Sequence, residues 1–148
     1  MPTTATSSKD ETQIRERLDA WIQALRAKDL DALMALYAPN VVAFDLMPPH
    51  QVRGAVGYRE NFERWFDAMP GPIDYEIYDL RIIQGAEVAF CHSLSHVKAT
   101  RVNGETADYW VRVTVGFEKR DGEWLAVHDH VSMPFDIDTT KAVRTLQR

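Results

Sequence analysis

The residues most able to move protons gather near the end of the chain, between Tyr109 and Asp136. Two apolar runs there flank Arg120-Asp121-Gly122-Glu123, and Asp-Gly between alternating runs predicts a hairpin. Strand side chains alternate, so Tyr109, Val111, Val113, Val115 and Phe117 share one face and Trp110, Arg112 and Thr114 the other. On the second strand the same rule groups Trp124, Ala126, His128, His130 and Ser132, opposite Leu125, Val127, Asp129, Val131 and Met133. A simple meander adds His92 to the polar group. We expect that polar face to line a pocket, because an arginine at an apolar interface would need a partner there. Reversed phase would instead bring Tyr109 and Asp129 inside. Histidine works as acid or base near neutral pH. Arg112 could clamp a carboxylate or stabilise an enolate. His128 and His130 read first as satisfied structural residues, nearly as readily as acid/base or ligand-binding groups, and least readily as half of a metal site completed by His92 or Asp45. No metal is expected.

A second candidate is Asp45, an acid closing the apolar run Val41-Val42-Ala43-Phe44. It reads either as a solvated turn residue or as a general base among apolar neighbours. Pro48 and Pro49, just beyond it, offer no backbone N–H, so few donors are expected around the carboxylate. Trp21, Tyr37, Phe62 and Trp65 are candidate pocket walls, and Trp21 could donate its indole N–H to a ligand.

These groups need elements to hold them. An N-cap at Asp10, with Gln13 closing a capping box, opens a helix whose Ile14, Leu18, Trp21, Ile22 and Leu25 recur at helical spacing. Asp29 caps a second helix carrying Leu30, Leu33, Met34, Leu36 and Tyr37, which stops at Ala38-Pro39-Asn40. A short strand follows, ending at Asp45. Arg53-Gly54 turns into a third helix from about Ala55 to Met69, with Tyr58, Phe62, Trp65, Phe66 and Met69 on one side. From Ile73 onward the pattern is strands, with turns at Gln84-Gly85-Ala86 and Asn103-Gly104. The expected organisation is a flexible tail over residues 1–9, one domain over 10–136, and a C-terminal extension over 137–148 that lies loose or forms a short helix.

Composition narrows the function classes. The chain has 148 residues, 45% of them hydrophobic, enough for one ordinary domain with a core. A net charge of −5 argues against nucleic acid as a partner. Cys91 is the single cysteine, so no intrachain disulfide forms, and its apolar run predicts an inert buried thiol. No apolar segment is long enough to span a bilayer and no signal core opens the chain, so a soluble cytoplasmic protein is expected.

Helices first and antiparallel strands after them imply an α+β fold. Ala35-Leu36-Tyr37-Ala38-Pro39-Asn40-Val41-Val42, the Arg53-Gly54 entry to the third helix, and Trp124-Leu125-Ala126-Val127-His128-Asp129-His130 together resemble the nuclear transport factor 2-like superfamily. That superfamily includes ketosteroid isomerase, scytalone dehydratase, limonene epoxide hydrolase and SnoaL-like polyketide cyclases. The resemblance spans roughly Asp10 to Phe135. It implies a cone-shaped, cystatin-like curved antiparallel sheet packed against three helices, with a pocket at its open end and a homodimer formed through the outer sheet face. It also implies that Asp45 matches the isomerases' general base, and that Phe62 and Trp65 match their aromatic pocket helix. Trp21 and Thr114 stand where the isomerases carry a tyrosine and a protonated aspartic acid, and both are weaker acids. The expected function is cofactor-free proton transfer on a mostly apolar carbonyl compound, with Asp45, His128, His130 and Arg112 catalytic. Trp21, Tyr37, Phe62, Trp65, His92, Trp110 and Thr114 are the expected ligand contacts. The alternative is a non-catalytic ligand-binding or association module.

Overall fold

The structure is a computed structural model and describes residues 8–148. Most of the expected N-terminal tail, residues 1–7, lies outside the described residues. Helix α1 spans Lys9–Ala27, and the Ser8 hydroxyl caps it by accepting from the Glu11 N–H at 3.0 Å. Asp10 was the expected cap. Its carboxylate instead accepts from the Trp124 indole at 3.1 Å and from Lys119 Nζ at 2.9 Å, tying α1 to the last hairpin. The stripe Ile14, Leu18, Trp21 and Leu25 is buried, as its spacing predicts.

Asp29 caps α2, Leu30–Met34, through the Ala32 N–H. That helix is shorter than expected. Strand β1, Tyr37–Phe44, takes over, and the Leu36 carbonyl is drawn off to accept from Ala126 N–H at 2.8 Å. Strand β2, Gln51–Arg53, is an addition that the sequence pattern does not announce. Gly54, with φ 91°, turns the chain into α3, Ala55–Ala68, a backbone angle that favours glycine. Four long strands follow: β3 Ile73–Gln84, β4 Val88–Thr100, β5 Thr106–Arg120 and β6 Glu123–Ser132.

The six strands form one curved sheet in the order β2-β1-β6-β5-β4-β3. The α+β class stands, with one difference from an all-antiparallel sheet. β1 runs parallel to β6, because the intervening elements return the chain in the same direction. The buried core gathers Ile14, Leu25, Phe117 and Trp124 between α1 and the sheet. Among the described residues, no helix is long and apolar enough to cross a membrane.

A bulge decides which residues face inward. Phe117 pairs with Ala126 but Gly116 pairs with His128, so Val127 is an extra residue opposite no partner. Trp124 and Ala126 are therefore buried on the same side as Asp129, although simple alternation separates them. The valine face of β5 is the inner one, since the helices cover apolar surface. The C-terminal extension neither lies loose nor forms a helix. It runs back as a strap, bridging Phe135 to Ala142 and accepting at the Arg144 carbonyl from Trp110 N–H at 2.8 Å. Arg148 closes it, pairing with Asp79 at 3.2 Å and lying over the Tyr78 ring.

Candidate functional site

A cavity of about 350 Å³ opens between α1, α3, the end of β1, the inner sheet face and the strap. Its walls are mostly apolar. Trp21 meets Tyr75 edge-on at 5.1 Å and Phe62 at 6.3 Å. Tyr37, Tyr58, Phe62 and Trp65 continue the aromatic wall.

The buried acid of this cavity is Asp129, which is 5% exposed. Its Oδ2 accepts from the Tyr58 hydroxyl at 2.8 Å and from the Tyr37 hydroxyl at 3.2 Å. Its Oδ1 has no hydrogen-bond partner. Burial pushes this carboxyl up from 3.8 to about 6, against the opposing pull of the two phenols, and the nearby Asp45 adds to the rise. Burial first, and the Asp129 charge second, hold both phenols protonated well above their ordinary range. The cluster thus holds an acid that exchanges its proton near neutrality, backed by two obligate O–H donors.

Asp45 lines the same cavity, half-buried. The structure corrects the expectation that it lacks donors. Oδ1 accepts from Leu46 N–H at 2.7 Å and Oδ2 from Asn61 Nδ2 at 3.0 Å. Arg64 contacts the Asn61 side-chain oxygen and donates to the Pro48 carbonyl at 2.9 Å, which fixes the amide's orientation toward Asp45. Other polar atoms of the cavity lack partners. The Trp21 indole N–H lies near the Tyr37 hydroxyl and favours its ionised form, yet falls short of hydrogen-bond geometry. The Ser95 hydroxyl is likewise unpaired. Burial pushes the Cys91 thiol up to about 12.

Of the sequence candidates, Asp45, Trp21, Tyr37, Phe62 and Trp65 all line this cavity. The other six do not. His92, Arg112, Thr114, His128 and His130 do converge, since His92 pairs with Thr114, Thr114 with His130 and His130 with Phe44. They do so on the outer sheet face, with Trp110, away from the helices. Arg112 donates to the Ser132 hydroxyl there at 3.2 Å, and His128 Nδ1 lies 2.7 Å from the Val42 carbonyl. His130 meets Phe44 edge-on, and Trp110 stacks on His96. The reason for the reversal is that the valine stripe lines the cavity walled by α1 and α3, while the charged stripe is left to solvent. Among the described residues, no three histidine, cysteine, aspartate or glutamate side chains gather as a metal site.

Tyr58 and Asn61 were not chosen from sequence, and Asp129, with Tyr109, only as the alternative under reversed phase, which is the phase found. Asn61 carried a usable signal: with Tyr58, Phe62 and Trp65 it stands at i, i+3, i+4 and i+7, on the buried stripe of α3. Asp129 was visible as the one acid among Val127, Val131 and Met133.

With this geometry in view, the chain belongs to the SnoaL-like domain family, which matches residues 14–136. No functionally curated protein matches it. A nuclear transport factor 2-like protein of unknown function from Pseudomonas putida KT2440 is 30% identical and superposes with a TM-score of 0.86, over 97% of this chain and 100% of that one. A candidate scytalone dehydratase from Novosphingobium aromaticivorans is 12% identical, with a TM-score of 0.77 over 94% of this chain and 89% of its own. The association domain of C. elegans CaMKII is 18% identical, with a TM-score of 0.67 over 83% and 95%. The last two likenesses are of fold alone.

Proposed function

We propose that this protein binds a small, mostly apolar carbonyl compound and moves a proton within it, without a cofactor. The observation that carries the reading is Asp129, a carboxyl buried in an apolar cavity with two tyrosine hydroxyls on one oxygen and nothing on the other. A group with a pKa near the working pH is suited to general acid–base catalysis. Asp129, protonated on its unpartnered Oδ1, donates to the carbonyl oxygen while the Tyr58 and Tyr37 hydroxyls hold its other oxygen, and Asp45 takes the proton from the adjacent carbon. Developing negative charge is stabilised by donors that are already in place, which is the efficient arrangement in a dry site. The dehydratase-named neighbour supports chemistry of this general type on the fold. His128, His130 and Arg112 have no part in this scheme.

The test is deuterium exchange. A panel of cyclic ketones is incubated with the protein in heavy water, and exchange beside the carbonyl is followed by NMR. Exchange of at least one ketone is expected, with Asp45→Asn abolishing it while binding survives. Absence of exchange across the panel, or exchange unchanged in Asp45→Asn, rejects the reading.

A second reading is favoured by the outer face, where Phe44 is 39% and Phe90 43% exposed beside the histidines. That face is read as the surface through which two copies pair, in keeping with an association-domain neighbour. Light scattering should report a dimer at micromolar concentration, and a monomer removes this part of the proposal.

A further inference from the structure

Two charged side chains of the cavity take no part in the scheme above. Arg101 sits at the β4–β5 hairpin, whose Arg101 N–H donates to the Glu105 carbonyl at 2.8 Å and whose Val102 N–H donates to the Ala68 carbonyl at 3.3 Å, at the end of α3. Arg144 sits on the C-terminal strap, held by the Trp110 N–H. Both line the cavity and both are exposed, so they mark its open end, whereas Asp129 marks its buried end. Separate segments of the chain thus bring two guanidinium groups to one opening. Several arginines away from the cavity are occupied: Arg59 pairs with Asp31, Arg120 with Glu118 and Arg148 with Asp79, whereas, among the described residues, Arg53 and Arg81 stand alone on the surface. Among the described residues, the Arg101 and Arg144 side chains have neither an ion pair nor a hydrogen bond.

Tyr109 reports on both. Burial raises its hydroxyl above the ordinary phenol range, Arg101 and Arg144 pull it the other way and Asp45 adds to the rise, so both guanidiniums and the Asp45 carboxylate act at one point of the wall. A positive opening is also unusual for a chain of net charge −5. Such an opening attracts anions that the rest of the surface repels.

We propose that the ligand of this cavity is an amphipathic organic acid, whose apolar body fills the aromatic interior and whose carboxylate is held at the opening by Arg101 and Arg144. The inference rests on the ligand-binding reading given above and names the ligand class for the same cavity. A guanidinium fork matches the two oxygens of a carboxylate and stays charged at any working pH. Anchoring the acid end also sets which carbons reach Asp129 and Asp45, so the pair would select for chain length as well as charge.

The test uses two probes of the same body, 6-phenylhexanoate and 6-phenylhexan-1-ol, with binding measured by calorimetry. The acid is expected to bind wild type at least about tenfold more tightly than the alcohol. In the double variant Arg101→Gln/Arg144→Gln that preference should vanish while alcohol binding is kept. Arg53→Gln, an exposed arginine away from the cavity, should retain the preference. Equal binding of the two probes by wild type overturns the acid preference and leaves the ligand-binding reading standing. A preference that survives the double variant, or that Arg53→Gln removes equally, also overturns it, because net charge would then be the cause. Failure of both probes to bind overturns this inference together with the pocket reading beneath it.

Discussion

His128, Asp129 and His130 are consecutive on β6 and live in opposite surroundings. The two histidines stand on the outer face, one bonded to the Val42 carbonyl and the other exposed beside Phe44. Asp129 points inward, is 5% exposed, and answers to two tyrosines from β1 and α3. Nothing in the residue types demands this. Histidine is the commoner proton carrier, and by chemistry alone the pair would be preferred. What separates the two faces is the dielectric. The inner face removes water from a carboxyl and shifts its proton affinity toward neutrality, while the outer face leaves the histidines in solvent or satisfied by backbone. A functional group is made by its burial and partners as much as by its name.

The sharpest break of this comparison is kinetic. Asp129→Asn should lower ketone exchange by about 10²–10⁴-fold, the usual contribution of a general acid or base. His130→Ala should change it by no more than about twofold. Loss of exchange in His130→Ala would return the outer face to the chemistry. The next measurement separates the sealed part of the inner face from the open part. Trp124 is fully buried beneath α1, so Trp124→Ala should cost about 3–5 kcal/mol in chemical denaturation. Trp65 is half-buried on the cavity wall, so Trp65→Ala should cost clearly less. Equal losses would mean that the cavity is filled core.

The smallest of these effects is on stability against pH. The folded-state carboxyl of Asp129 titrates at about 6, above the ordinary 3.8, so the native state holds this proton more tightly than the unfolded chain. Below 3.8 the group costs nothing; as pH rises from 3.8 to about 6 stability is lost, and the loss is complete above that. At about 1.4 kcal/mol per pKa unit, the full cost is about 3 kcal/mol. Denaturation of wild type and Asp129→Asn at about pH 4 and pH 8 should show the variant gaining most of that difference at the higher pH. A gap independent of pH would mean that Asp129 is not desolvated.

Much of the fold was legible because local rules dominate where periodicity is long. The α1 stripe from Ile14 to Leu25, the Asp29 cap and the aromatic side of α3 follow from helical spacing and capping chemistry. The same spacing carried Trp21, Phe62 and Trp65 to the cavity wall. The expected convergence of His92, Thr114 and His130 was also right as strand pairing, and failed only in which side it faced. The Asn61 donor to Asp45 was not legible, since it comes from a helix sixteen positions away and is aimed by Arg64.

By itself, then, the sequence determined the elements, the order of the strands' pairing partners in the last meander, and a short list of aromatic wall residues. These depend on neighbours within a few positions, where propensity and alternation act directly. The tertiary structure decided which face is inside, by setting α1 and α3 across the cavity that the valine stripe lines. It also decided, through the single extra residue at Val127, that Trp124, Ala126 and Asp129 share that face. One unpaired residue reverses every side chain after it, and no local pattern marks where it must fall.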